Sequence, residues 1–153
     1  MFFGIFSKAQ EPVEPQTLSD ISGVYECEGT IAEGKTYKGF VQIFKTGDTY
    51  FLFWMIGSDV QYGTGFVRDG KLSVGFVGPS NGVVVYRLES DSRLVGEWTF
   101  FSNSPDGIYI DGMIRTEVLT RTSKPMPNSS PEPEPKSRPE PKPSDKPLPR
   151  QIA

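Results

Sequence analysis

Three runs decide the fold: Tyr37-Lys-Gly-Phe-Val-Gln-Ile-Phe44, Tyr50-Phe-Leu-Phe-Trp-Met-Ile56 and Tyr62-Gly-Thr-Gly-Phe-Val-Arg68. Each is rich in aromatic and β-branched residues, and glycine-bearing turns such as Thr46-Gly47-Asp48 separate them. Side chains of that kind suit a pleated, half-buried surface, so the stretch predicts an antiparallel meander.

The rhythm continues on both sides. Upstream, Gly23, Tyr25 and Cys27 alternate with Glu26 and Glu28, giving a strand with one apolar face. Downstream, Asp69-Gly70 is a two-residue hairpin signal. Leu72, Val74 and Phe76 share the next face, and Gly78-Pro-Ser-Asn-Gly82 turns the chain into Val83–Leu88. A turn at Ser90–Ser92 leads to Leu94–Phe101, where Leu94, Gly96, Trp98 and Phe100 lie on one side. After a looser loop at Ser102–Gly107 the last strand is expected over Ile108–Thr120, with Asp111-Gly112 as a bulge inside it. That makes eight strands and no helix. Short connections pair sequential neighbours, and such a meander keeps two exposed edges unless the first strand meets the last. The expected fold is therefore all-β, a closed or nearly closed eight-stranded antiparallel up-and-down barrel.

Composition divides the 153 residues into three parts. Residues 1–19 hold Pro12 and Pro15 among charges and read as a flexible leader; residues 20–122 are the barrel; residues 123–153 are a Pro/Glu/Lys-rich tail. Ten of the fourteen prolines fall between Pro125 and Pro149, too little apolar surface to order a core. Proline favours an extended spacer there, and no Pro-x-x-Pro spacing invites an SH3 partner. The apolar start, Met1–Phe6, is shorter than a signal-peptide core or a membrane span. That points to the cytoplasm and leaves export open.

Chemistry is bounded mainly by what is missing. The sequence has no histidine, which removes His-based acid–base catalysis, the usual triads and most zinc sites. Its one cysteine, Cys27, reads as a small buried residue rather than a reactive thiol. Residues 1–123 carry ten Lys/Arg against fifteen Asp/Glu, a balance that repels nucleic-acid backbones. Glu97, Asp111 and Glu117 offer carboxylates for an acid–base pair, but strand parity puts Glu97 opposite Trp98, and all three read as solvated surface charge. No cofactor or metal is expected.

Two sets of residues stand out. Tyr25, Trp54, Tyr86 and Trp98 fall where small barrels place aromatic side chains, either as core filling or as the wall of a ligand cavity. The strand at Tyr50–Ile56 is apolar on both faces. With Trp54 inside, Phe51, Phe53 and Met55 form an outward stripe, expected to be an interface that could support a homo-oligomer.

The order Gly23-x-Tyr25, Tyr37-x-Gly39, Tyr50-x-x-x-Trp54, Gly63-x-Gly65, Leu72-x-Val74, Val84-x-Tyr86, Leu94-x-Gly96-x-Trp98 and Thr116-Glu117-x-Leu119-Thr120-Arg121 resembles a family of short bacterial β-barrel domains, often exported, some labelled fibronectin-binding. The barrel also resembles the calycin superfamily of lipocalins and avidins, with Tyr25 where lipocalins place tryptophan. The resemblance spans about residues 20–122 and brings no catalytic residues. Two readings of function result: a non-enzymatic barrel that binds a small apolar ligand or a protein partner, or a packed accessory module with a spacer tail.

Overall fold

The computed structural model describes residues 20–127, so the leader at 1–19 and the proline-rich run from residue 128 lie outside the described residues. Nine strands are present: β1 (Gly23–Thr30), β2 (Thr36–Thr46), β3 (Thr49–Ile56), β4 (Asp59–Arg68), β5 (Lys71–Val77), β6 (Asn81–Ser90), β7 (Arg93–Ser104), β8 (Gly107–Ile110) and β9 (Arg115–Arg121). All neighbours are antiparallel. Strands β1 to β7 follow one another around the sheet, and β9 closes it by pairing with both β7 and β1. The result is a closed eight-stranded barrel with β8 as an extra strand.

The turns are those the sequence prescribes. Asp69 and Gly70 both have positive φ, 51° and 70°, the conformation a two-residue hairpin needs to match strand twist. Around the barrel, residues of one parity point inward. They include Tyr25 and Cys27 on β1, Val41 and Ile43 on β2, Tyr50, Leu52 and Trp54 on β3, Tyr86 on β6 and Leu119 on β9, all in one buried cluster.

The C-terminal part differs from the sequence expectation. Ile108–Thr120 is not one bulged strand. Asp111-Gly112 interrupts it, with Gly112 at φ 69°, and separates β8 from β9. The long β7 serves both: Arg93–Trp98 pairs with β9 in the barrel wall, whereas Phe101–Ser104 runs past the rim and pairs with β8. Strands β8 and β9 both run antiparallel to the same edge of β7, and the register slips by two residues between the Phe101–Ile110 and Trp98–Arg115 pairs, so the chain bows away from β7 over Asp111–Ile114 before rejoining it. The hairpin leaves Ile108 and Ile110 67% and 68% exposed.

Beyond β9, Thr122 N–H still donates to the Val24 carbonyl (2.9 Å), and Lys124 pairs with Glu26 on the outside of β1. The described chain thus hugs the barrel for a few residues past 122. No helix among the described residues is long and apolar enough to cross a membrane.

Candidate ligand-binding site

The lumen has a solid half and an open half. Towards the end where β1 begins, Leu52, Leu72, Leu94 and Leu119 are fully buried together with Ile21, Ile43 and Tyr25. Tyr25 donates its hydroxyl to the Ile21 carbonyl (2.8 Å). Arg121 closes this floor: its guanidinium lies 5.2 Å from the Tyr25 ring centre and donates to the carbonyls of Asp20, Ser22 and Asp91.

Towards the other end the same alternation delivers large aromatic side chains that leave space between them. A cavity of about 270 Å³ is lined by Trp54, Phe76, Tyr86, Trp98, Tyr37 and Glu117, with Ile31, Ile56, Asp59, Gln61 and Val84 completing it. Ring contacts set its walls: Phe76 lies 6.1 Å from Trp54 and 6.4 Å from Trp98, and Tyr37 meets Trp98 edge-on at 6.2 Å. Such tilted and edge-to-face pairs are the favoured arrangements of aromatic quadrupoles.

Two glycines make room for the tyrosines. A Cβ on Gly29 would lie 2.3 Å from the Tyr37 ring, and one on Gly96 would lie 2.5 Å from the Tyr86 ring. Each glycine faces its tyrosine directly across the strand pair, so the bare backbone lets the phenol reach the lumen.

The phenols converge on a carboxyl. Glu117 is 5% exposed, inside the barrel on the row that carries Leu119. Tyr37 donates to its Oε2 (2.6 Å), while Tyr86 and Trp54 Nε1 (3.2 Å) both donate to Oε1. Burial, and then the Glu117 carboxyl, push both phenols far above the ordinary tyrosine range. They therefore keep their protons and act as donors. The Cys27 thiol lies beside the same carboxyl. On the neighbouring strand β7, Trp98 has a buried indole N–H without a hydrogen-bond partner among the described residues. Burial followed by Glu117 also raises the Cys27 thiol well above its usual range, so it is inert and not a nucleophile.

At the rim, Arg115 also points inward and is buried. It forms a two-pronged ion pair with Asp111 and covers Trp98 and Phe100, its guanidinium 5.3 and 4.9 Å from their ring centres. The pair holds the Asp111 carboxyl below its ordinary range, with a further hydrogen bond from Met113 N–H.

Measured against the sequence, Trp54, Tyr86 and Trp98 do meet around one cavity. Tyr25 does not join them; it packs in the floor and spends its hydroxyl there. Tyr37 and Glu117 are site residues the sequence reading missed. Glu117 is not the solvated surface charge expected of it, because its row faces the lumen and three donors satisfy it. Phe51, Phe53 and Met55 point outward as expected, within a run that includes Phe44 and Tyr62. Phe53 is nonetheless only 7% exposed, its ring centre 5.4 Å from that of Tyr62. No group of His, Cys, Asp and Glu among the described residues could hold a metal ion.

No protein-family model matches the chain, and no curated protein does. Among solved structures the barrel is similar to mFAP2b bound to DFHBI, with a TM-score of 0.56 at 16% identity, covering 67% of this chain and 94% of that one. It is similar also to a redesigned β-barrel, with a TM-score of 0.53 at 16% identity, covering 67% and 91%. A second, mFAP1 bound to DFHBI, has a TM-score of 0.51 at 18% identity, covering 66% and 94%. At these identities the likeness is one of fold.

Proposed function

We propose that this barrel is a non-enzymatic binding module whose open end takes up a small, flat, largely apolar ligand. The cavity itself carries the reading. Its volume of about 270 Å³ is close to the lower end of ligand pockets, roughly 300–1,000 Å³. Apolar and aromatic walls surround two polar groups of the lining, the unpaired Trp98 N–H and the Glu117 carboxyl. A lumen built only to stabilise the fold gains nothing from an unpaired buried N–H, which costs about 1–3 kcal/mol. A ligand acceptor placed against Trp98 recovers that cost. The redesigned barrels that share the fold and are bound to DFHBI lend support by analogy of architecture.

The test is a screen of one- and two-ring heterocycles, read by intrinsic tryptophan fluorescence and thermal shift. A ligand at a hundred times its Kd raises stability by about 2.7 kcal/mol. Saturable binding that Trp98→Ala abolishes supports the proposal. No binder from such a screen returns the barrel to the accessory-module reading.

A second reading concerns the outside. Phe51 and Met55 are half-buried beside Tyr62, and Phe66 on the same wall is 51% exposed. Apolar surface of this kind on one side of a barrel favours contact with a protein, including a second copy.

A further inference from the structure

Resting on that reading, we infer that the ligand is a small organic cation, an arylalkylamine whose protonated nitrogen donates to Glu117 while its ring lies among Trp54, Phe76 and Trp98.

Charge on the cavity wall is of one sign. Among the described lining residues the charged groups are Asp59 and Glu117, both carboxylates. Glu117 sits at the inner end of the cavity, where it takes part in no ion pair of the described residues. The two guanidiniums that share its row are engaged elsewhere. Arg115 is held by Asp111 through both terminal nitrogens, and Arg121 is spent on three floor carbonyls. A buried carboxyl kept from both neighbouring arginines is a site prepared for a cation from outside.

The hydrogen-bond inventory agrees. Tyr37, Tyr86 and Trp54 together fill three of the four lone-pair positions, all as donors. They fix the carboxyl as an acceptor, and the weakly donating Cys27 thiol beside it is the only competitor among the described residues for a ligand N–H at the fourth position. A ligand carboxylate or phosphate would face a like charge at Glu117, which the one neutral N–H of Trp98 on the same wall would not offset. The walls agree too. Trp54, Phe76, Trp98 and the two tyrosines present ring faces and edges around one volume, and aromatic faces attract an organic cation within about 6 Å. Size sets the limit: about 270 Å³ equals roughly nine waters' share of liquid at 30 Å³ each, room for one or two rings with a short amine arm.

Three near-isosteric probes test this on the full chain at neutral pH by titration calorimetry: 2-phenylethylamine, 2-phenylethanol and 3-phenylpropanoate. The amine should bind at least about tenfold more tightly than the alcohol, the worth of a charge-assisted hydrogen bond in a dry site. The propanoate should bind most weakly. Glu117→Gln should bring the amine down to within two- or threefold of the alcohol while sparing the alcohol's own affinity. Asp59→Asn, at the mouth, should leave most of the preference in place. An alcohol that matches the amine in the unmutated protein overturns the cation inference and leaves the binding-module reading standing. So does a propanoate that binds best. A preference erased by Asp59→Asn but not by Glu117→Gln also overturns it, because the charge that matters is then at the rim. If none of the three binds and tryptophan fluorescence stays unmoved, the cation inference falls, and the heterocycle screen decides the binding-module reading separately. Should Glu117→Gln fail to fold, the three-probe series on the unmutated protein decides alone.

Discussion

At the floor of the barrel, four leucines from β3, β5, β7 and β9 interlock around Tyr25, and Arg121 satisfies three backbone carbonyls above them. At the mouth, the same strands contribute Trp54, Phe76, Trp98 and Glu117, and space remains. One alternation, continued a few residues further along each strand, thus gives a packed half and a receptive half. The difference lies in side-chain shape. Leucines of opposing strands fill the narrow lumen of an eight-stranded barrel, whereas planar rings meeting edge to face leave gaps that no neighbour is shaped to occupy. The floor gains packing that the mouth forgoes, and on the proposed function that forgone packing is the room for a ligand.

The sharpest break of that comparison is a pair of truncations. Leu94→Ala removes a fully buried side chain and should cost about 2–5 kcal/mol. Trp98→Ala removes a larger side chain that already borders empty space and leaves its own N–H unpaired. It should cost less than half as much, while abolishing ligand uptake. Denaturant midpoints on the two variants decide it. Equal losses would mean that the mouth is packed as tightly as the floor.

Alkaline titration probes both halves at once. Burial raises Tyr25 in the floor, and Tyr37 and Tyr86 in the lumen, above the ordinary tyrosine value of 10.0. In the unfolded chain these phenols ionise near that ordinary value; in the fold they do not. Their contribution to stability is therefore complete below about pH 10 and is lost as the pH rises further, at about 1.4 kcal/mol per pH unit for each phenol. Below pH 9 the unfolding midpoint should owe no pH dependence to them. Phenolate absorbance from Tyr37 and Tyr86 should grow only as the circular dichroism of the sheet disappears, while Tyr25 should ionise above the ordinary phenol range. Early ionisation of Tyr37 or Tyr86 in the intact fold would show that water reaches Glu117 freely.

A smaller effect is expected at Gly29. Gly29→Ala places a Cβ against the far end of the Tyr37 side chain, which can swing towards the mouth. The stability loss should be about 1 kcal/mol, at the low end of overpacking costs. The hydrogen bond to Glu117 is lost, so ligand affinity should fall more than stability does. Tyr37→Phe should reproduce the affinity change without the steric one.

The barrel was legible from Tyr37–Arg68 and its repeats because strand alternation and turn chemistry are local. The parity of Trp54, Tyr86 and Trp98 was legible for the same reason. Glu117 was not. Along Arg115–Arg121 one row reads Arg, Glu, Leu, Arg and the other Thr, Val, Thr, and the cost of burying charge argues for the second row inside. The barrel takes the first, because Leu119 fits the floor, Arg115 and Arg121 reach partners at either end, and phenols from β2 and β6 satisfy Glu117. Those partners lie 80 and 31 residues away in sequence. The irregularity at Asp111-Gly112 was legible as a bulge, but its widening into a break between β8 and β9 was not. Gly29, opposite Tyr37, was the one local hint of a crowded lumen there.

The outer face of β3 offers the mildest perturbation and the control for all the others. Phe51 lies on the same strand as Leu52 and Trp54 but points away from both halves of the lumen, its ring centre 6.4 Å from Phe44 and 6.2 Å from Tyr62. It is half-buried, so only part of its apolar surface is covered within the chain. Phe51→Ser should lower stability by about 1 kcal/mol, since only the covered part of the ring counts at roughly 25 cal/mol per Å². Ligand uptake should be unchanged, because no lumen residue moves. Adding Phe53→Ser should cost more, as that ring is buried. If the outward stripe joins two copies, light scattering at raised concentration should show the dimer of the unmutated chain weakened by Phe51→Ser alone. A chain that is monomeric throughout, with or without the substitution, rules out self-association through this face. A variant that loses ligand uptake while staying folded would mean that the two faces of β3 are coupled, and the separation of lumen from surface would have to be redrawn.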